Sequence, residues 1–351
     1  MGQLYIYGAY GYTGRLIVDE CLAKGLKPVI AGRDPQKTES YAKQYGLDYA
    51  VFDVTETSKV EDWLKDAFAL IHCGGPFVHT AKEMVEACLA TNTHYLDITG
   101  EYQVFDLVKS YDAAAKAKKL MLMPGAGFDV VPSDCLAAYL KDALPSATDL
   151  QLAFVSKGGG LSRGTTKTMI ENLGEPQVVR KNGKYHEQLM GSSTQHISYG
   201  EFDQLSMGIS WGDVSTAYTS TEIPNIEVFA GTSVEQVAKV KKMGKLSFLL
   251  KSRLVKNFLM SRLDKKPDGP RDEKRVNGRM HLWGKVSDGS ESKEARLSTP
   301  NGYTLTALAS VHIAQKMLAG DFKAGYQTPS TAYGSRLVLE LPTCEGFSTA
   351  P

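Results

Sequence analysis

Leu4-Tyr5-Ile6-Tyr7-Gly8-Ala9-Tyr10-Gly11-Tyr12-Thr13-Gly14-Arg15 is followed by an apolar helical pattern through Leu16, Ile17, Cys21 and Leu22. The apolar run predicts a strand, the glycine-rich segment a tight turn, and the spacing after it a helix. A turn of this kind brings backbone N–H groups and the positive end of a helix dipole close to a pyrophosphate. The spacing is G-x-x-G-x-x-G, and with 33 glycines in 351 residues the spacing alone decides little. Its position between the first strand and the first helix gives it weight. The second strand ends in Ala31-Gly32-Arg33. Chains that select NAD place Asp or Glu there for the ribose 2′-hydroxyl, whereas Arg suits a 2′-phosphate. Gly8, Ala9, Tyr10, Gly11, Tyr12, Thr13, Gly14, Gly32 and Arg33 are therefore expected to hold a dinucleotide, NADP in preference to NAD.

Strands and helices alternate from here to about residue 125. Strands are expected at 49–54, 69–73, 94–98 and 120–123, and helices at 35–45, 58–67, 80–90 and 104–118. Such alternation implies a mostly parallel, doubly wound sheet. From about 145 the pattern shortens, with strands expected at 149–155, 177–180, 215–220 and 226–229. Gly158-Gly159-Gly160 and Gly183 punctuate them, which points to an antiparallel sheet. A hairpin is expected around Asp288-Gly289-Ser290 and a closing helix over 303–319. The expected fold class is α/β: a Rossmann dinucleotide-binding domain over 1–130 and a mixed α/β substrate or dimerisation domain over 131–300. A closing helix and tail over 301–351 return to the Rossmann domain.

Ligands of such sheets sit beyond the carboxyl ends of the strands. Asp53, after the third strand, reads either as an acceptor for the adenine amino group or as a turn residue. Cys73-Gly74-Gly75-Pro76 ends the fourth strand with the small residues that a close approach to the ribose and pyrophosphate needs. The fifth strand delivers Thr99, Gly100 and Glu101, and the sixth delivers Gly127, Phe128 and Asp129. Ser133 or Asp134 is expected to cap the next helix, and Ser162 with Thr165 to open another. Thr99, Gly100, Gly127, Phe128, Ser133, Ser162 and Thr165 make up the expected nicotinamide and substrate side. Hydride chemistry belongs to the cofactor, and a carbonyl or enoyl substrate also needs an acid near its oxygen. Tyr95, Glu101 and Asp129 are the candidates for that acid. His72, His79 and His94 lie on separate elements without metal-ligand spacing, and no G-x-S-x-G elbow occurs. No metal site is expected.

The blocks G-A-Y-G-Y-T-G-R, A-G-R-D, C-G-G-P-F, T-H-Y-L-D-I-T-G-E and G-A-G-F-D-V-V-P-S-D stand in order across residues 5–134. Together they resemble the saccharopine dehydrogenase-like oxidoreductases, a group that includes trans-acting enoyl reductases. The resemblance implies a Rossmann domain on NAD(P), a mixed α/β substrate domain, and hydride transfer to a small or acyl substrate bearing an enoyl, carbonyl or imine group. The residues by which saccharopine reductases bind their amino-acid substrate do not map onto 150–300. A catalytically silent NAD(P)-binding or lipid-associated scaffold protein is the alternative.

A net charge of +1 gives no reason to expect a nucleic-acid partner. The five cysteines, Cys21, Cys73, Cys88, Cys135 and Cys344, are scattered, which suits a reducing, cytoplasmic setting without disulfides. No apolar run reaches the ~18 residues of a membrane span, and no signal peptide is expected ahead of the first strand. One local excess of charge stands out. Between Val237 and Lys266 ten Lys or Arg residues face Asp264 alone, beside an i, i+4 stripe of Leu246, Leu250, Leu254 and Phe258. A cover helix, a homodimer contact, a lid over an acyl chain and a peripheral contact with anionic lipid all fit such a segment.

Overall fold

The computed structural model describes residues 2–244, 250–263 and 267–349. The chain forms two compact units, residues 2–131 with Tyr303–Ala332 and Pro132–Gly302 with 333–349.

The first unit is built on β1 (Gln3–Tyr7), β2 (Val29–Gly32), β3 (Tyr49–Val51), β4 (Ala67–His72), β5 (His94–Asp97), β6 (Met121–Met123) and a late strand, Gly325–Tyr326. Every pair is parallel, in the order β3-β2-β1-β4-β5-β6 and then the late strand. This is the doubly wound order, whose direction reverses between β1 and β4. Parallel strands covered on both faces read as continuous apolar runs, and Leu4 through Tyr7 are all buried accordingly. Helices α1 (Tyr12–Ala23), α2 (Pro35–Tyr45), α3 (Thr57–Leu64) and α4 (Ala81–Thr91) follow the first four strands. Val60 and Leu64 of α3 and Met84, Val85 and Cys88 of α4 share one core layer with Tyr5, Leu70 and Tyr95. Helix α2 shows how local chemistry sets the bounds. Asp34 accepts from the Lys37 N–H at 3.0 Å, Pro35 opens the helix, and Gly46 closes it in the left-handed region. The single helix expected over 104–118 is two, α5 (Tyr102–Lys109) and α6 (Asp112–Ala117), with a tight turn at Ser110 and Tyr111.

Helix α7 (Val131–Ala143) leads into the second unit. Its sheet comprises β7 (Asp149–Lys157), β8 (Gln177–Lys181), β9 (Lys184–Gln188), β10 (Thr194–Ser198), β11 (Asp203–Ile209), β12 (Asn225–Gly231), β13 (Arg279–Ser287), β14 (Ser292–Pro300) and a last strand, Glu345–Thr349. The order is β10-β11-β12-β7-β13-β14 and then the last strand, with β8 on β12 and β9 on β8. The sheet is mixed: β7 and β12 run parallel and the other pairs antiparallel. The β13–β14 hairpin turns where Asp288 Oδ1 accepts from the N–H groups of Ser290 and Glu291. Residues 345–349, grouped with the returning tail in the sequence reading, pair instead with β14 of this sheet.

Helix α8 (Arg163–Glu171) precedes β8, and α9 (Asp213–Thr221) precedes β12. The strand expected over 215–220 is therefore helix α9. Its Thr219, Ser220 and Thr221 hydroxyls donate to the carbonyls of Ser215, Thr216 and Ala217. Local back-bonding and burial of Val214 and Ala217 override the strand preference of this Thr- and Tyr-rich run.

Candidate functional site

The glycine turn at the end of β1 is closed by its own backbone. Gly8 has φ +78°, and a Cβ there would lie 3.1 Å from the Cys73 carbonyl carbon, so only glycine fits on both counts. A Cβ on Gly14 would meet the Gly8 carbonyl and come within 2.8 Å of the Ala9 Cα, so α1 packs directly on the turn. The Gly11 N–H donates to the Gly8 carbonyl at 2.9 Å, and Arg15 Nη1 donates to the Tyr10 carbonyl at 3.1 Å. Gly11 caps α1 without a side chain, which leaves anion binding at this helix start to backbone donors. Tyr12 packs edge-on against Tyr303, 5.1 Å between ring centres.

At the end of β2, Gly32 is buried against Tyr10 and Thr38, and Arg33 is exposed. The next carboxylate, Asp34, is already committed to capping α2 and to the Lys37 ammonium at 3.1 Å. Arg33 is thus the exposed charged group that follows the strand, and its charge fits a 2′-phosphate. Asp53 braces its own turn, accepting from the Thr55 N–H at 3.0 Å and hydroxyl at 2.8 Å. Those bonds, with Arg33 contributing last, hold its carboxyl below the usual range.

The loop Cys73-Gly74-Gly75-Pro76 is held by residues that sequence reasoning set aside. The Cys73 N–H donates to the Tyr7 carbonyl at 2.8 Å. His72 Nε2 lies 2.9 Å from Thr80 Oγ1, the Thr80 hydroxyl donates to the Gly74 carbonyl at 2.9 Å, and the Gly74 N–H reaches His72 Nδ1 at 3.4 Å. One neutral tautomer, protonated on Nε2, satisfies all three contacts. Burial lowers the His72 pKa to about 3, so the ring stays neutral. Burial also pushes the Cys73 thiol up, away from thiolate chemistry. No sequence spacing links His72 and Thr80 to Gly74, so this clamp had no signal along the chain.

At the ends of β5 and β6 three carboxyl groups gather. Asp97 is fully buried; its Oδ1 accepts from the N–H groups of Thr99 at 2.9 Å and Gly125 at 2.8 Å, and its Oδ2 from the Tyr95 hydroxyl at 2.8 Å. Burial outweighs these bonds and carries its pKa to about 7. Tyr95 is buried with it, and burial followed by Asp97 raises its hydroxyl well above the usual range. Glu101 accepts from the N–H groups of Phe77 at 3.0 Å and Val78 at 2.9 Å, bracing the turn after Pro76. The Thr99 hydroxyl accepts from the Glu101 N–H at 3.1 Å. Asp129 keeps part of its surface in solvent and lies against Gly100. Burial of its carboxyl, then the charges of Glu101 and Asp97, raise its pKa to about 7.

Thr306, unforeseen in the sequence, holds the next turn. Its Oγ1 accepts from the Phe128 N–H at 3.0 Å, and its methyl leaves no room for a Cβ on Gly127. Ser133 and Asp134 lie inside α7 and not at its cap, because the Val131 N–H already bonds the Gly127 carbonyl. Ser162 does cap α8, accepting from the Thr165 N–H at 3.1 Å, and these two residues belong to the second unit. Among the described residues no group of His, Cys, Asp or Glu could hold a metal ion, and no helix is long and apolar enough to cross a membrane.

A glycine turn after β1, an Arg after β2 and small residues after β4 on this strand order define the first unit as a dinucleotide-binding Rossmann domain. Residues 4–123 match the family model for the saccharopine dehydrogenase NADP binding domain. The match lies wholly within the first unit. A saccharopine dehydrogenase-like oxidoreductase of Bos taurus is 23% identical over 204 residues, 51% of this chain and 48% of its own length. A trans-acting enoyl reductase of Mycobacterium ulcerans is 25% identical over 146 residues, 39% of this chain and 35% of its own. The chain thus spans about half or less of the length of these curated relatives. The saccharopine dehydrogenase (L-Glu forming) of Saccharomyces cerevisiae, solved in its apo form, covers 100% of both chains at a TM-score of 0.69 with 11% identity. That likeness is one of fold.

Proposed function

We propose that the chain is an NADP-dependent oxidoreductase whose small or acyl substrate carries an enoyl, carbonyl or imine group, and that Asp129 holds the proton this substrate takes up. The bound cofactor would supply the hydride. The Gly8–Gly14 turn would hold the pyrophosphate through backbone N–H groups, and Arg33 the 2′-phosphate. The observation that carries the reading is the Asp129 carboxyl, raised to about 7 by burial and by the charges of Glu101 and Asp97, on a partly exposed residue after β6. Of the other candidates, Glu101 braces the turn after Pro76 through two backbone donors, and Tyr95 donates to Asp97 with its hydroxyl raised well above the usual range. A general acid works best with a pKa near the working pH. Consumption of NADPH in the presence of fractionated metabolites and acyl thioesters tests the reading. Tight NADPH binding with no consumption against any fraction would favour a silent, cofactor-sensing protein.

A second reading concerns the basic segment. In the helix Arg253–Leu263, Leu254 is 82% and Phe258 56% exposed. Arg262 lies over the Phe258 ring, while Lys251 pairs with Glu175 at 2.8 Å and Lys256 donates to the Glu171 carbonyl. Lys245, Leu246, Phe248, Asp264, Lys265 and Lys266 fall outside the described residues. Exposed apolar side chains among cations support a peripheral contact with anionic lipid. Co-sedimentation with phosphatidylserine vesicles at low salt is expected, weakened by Leu254→Glu and by salt. Vesicle-free pelleting or self-association would point to a homodimer contact instead.

A further inference from the structure

On the first unit, at the end of the sheet opposite the glycine turn, β1, β2 and β3 begin around a cavity of about 380 Å³. Its wall includes Tyr5, Val29, Leu47, Asp48, Tyr49 and Trp63. The volume lies within the range of small-molecule sites. Trp63 on α3 and Tyr49 on β3 keep 41% and 38% of their surface in solvent. Large rings left this open are apolar area that a ligand could remove from water. The third ring, Tyr5, sits in the core with its hydroxyl 3.4 Å from Gln3 Oε1.

Among the described residues that line the cavity, Asp48 is the one that carries a charge. Burial and then the charges of Asp66 and Asp48 raise the Tyr5 hydroxyl above its usual range, which puts two carboxylates within electrostatic reach of that ring. Lys43, the cation within electrostatic reach of Tyr49, is paired with Glu39 at 2.7 Å. An anionic guest would meet Asp48. A neutral apolar guest would make no use of Asp48. A cation with apolar surface uses both the rings and the carboxylate, because the ring faces are negative and a weakly hydrated cation desolvates cheaply.

We infer that this cavity binds a quaternary ammonium group, with the exposed rings of Trp63 and Tyr49 as its walls and Asp48 as its counter-charge. The site is separate from the dinucleotide end of the sheet and independent of the reading of Asp129. Titration calorimetry of the full chain with choline, and with the neutral tert-butyl isostere of choline, tests it. Choline is expected to bind at least about tenfold more tightly than the isostere. Trp63→Leu, which keeps an apolar side chain but removes the ring face, is expected to weaken choline about tenfold, and Asp48→Asn a few-fold. Unchanged NADPH affinity in both variants controls for folding. Equal affinity for choline and its isostere, an unchanged choline affinity in folded Trp63→Leu protein, or no choline binding at all would each overturn the assignment.

Discussion

The two sheets spend their polar residues differently. In the first, β1 buries four successive side chains, Leu4 to Tyr7, and β5 buries all of His94 to Asp97. In the second, β10 and β14 alternate, burying Ile197 among exposed neighbours and Ala295 and Leu297 between partly exposed ones. A strand covered on both faces has no polar surface of its own, so chemistry is pushed to the turns at its end. A strand with one wet face offers polar groups along its whole length, and none of them stands out. Concentration at strand ends explains why Gly8, Arg33, Cys73, Thr99 and Asp129 all lie just beyond the strands they follow.

Substitutions at matched positions should break this contrast if it is wrong. The largest effect is expected for Gly14→Val, which drives a side chain into the backbone of Gly8 and Ala9 and should abolish measurable NADPH binding in calorimetry. Its counterpart is Gly289→Ala, at φ +90° in the β13–β14 turn with nothing within 4 Å. It should cost only about 1 kcal/mol in denaturant unfolding and leave the affinity for NADPH alone. Similar losses of binding from both variants would erase the distinction.

Next in size is Asp129→Asn, which should lower turnover roughly 10²–10⁴-fold with little change in NADPH affinity. The sign of the pH dependence follows from the group's role: a donor must be protonated, so wild-type turnover should fall as pH rises through about 7. The Asn variant should lose that limb of the profile. A wild-type rate that climbs through neutrality would make Asp129 a base or a bystander.

Smaller again is Arg33→Asp, expected to weaken NADPH about 10–100-fold while leaving NADH nearly unchanged. Parallel titrations with the two cofactors check it, and a wild-type preference for NADH would remove the 2′-phosphate from the reading of this strand end.

The same contrast governs how much could be read along the chain. Strands β1 to β6 of the first sheet were legible, since their apolar runs and separating helices are contiguous in sequence, but the late strand Gly325–Tyr326 was not. The second yielded its β13–β14 hairpin, whose Asp288-Gly289-Ser290 turn is local, but not helix α9, where burial overrode propensity. In the candidate site, Gly8 and Gly14 were legible because backbone geometry demands glycine. Thr306 was not, because its partner Phe128 is 178 residues away. His72 and Thr80 were passed over for another reason: a buried neutral histidine that positions a loop has no pattern distinguishing it from any core residue.

The late strand Gly325–Tyr326, which pairs with β6, has a consequence in time as well as in space. It is made about two hundred residues after its partner. At ribosomal rates of about 5–20 residues per second, the outer edge of β6 waits roughly ten to forty seconds for its neighbour. Open edges are where nascent chains find the wrong partner. A chain halted at residue 302 would already carry the whole glycine turn, Arg33 and Asp129. It would still lack Thr306 behind Phe128 and the strand that covers β6.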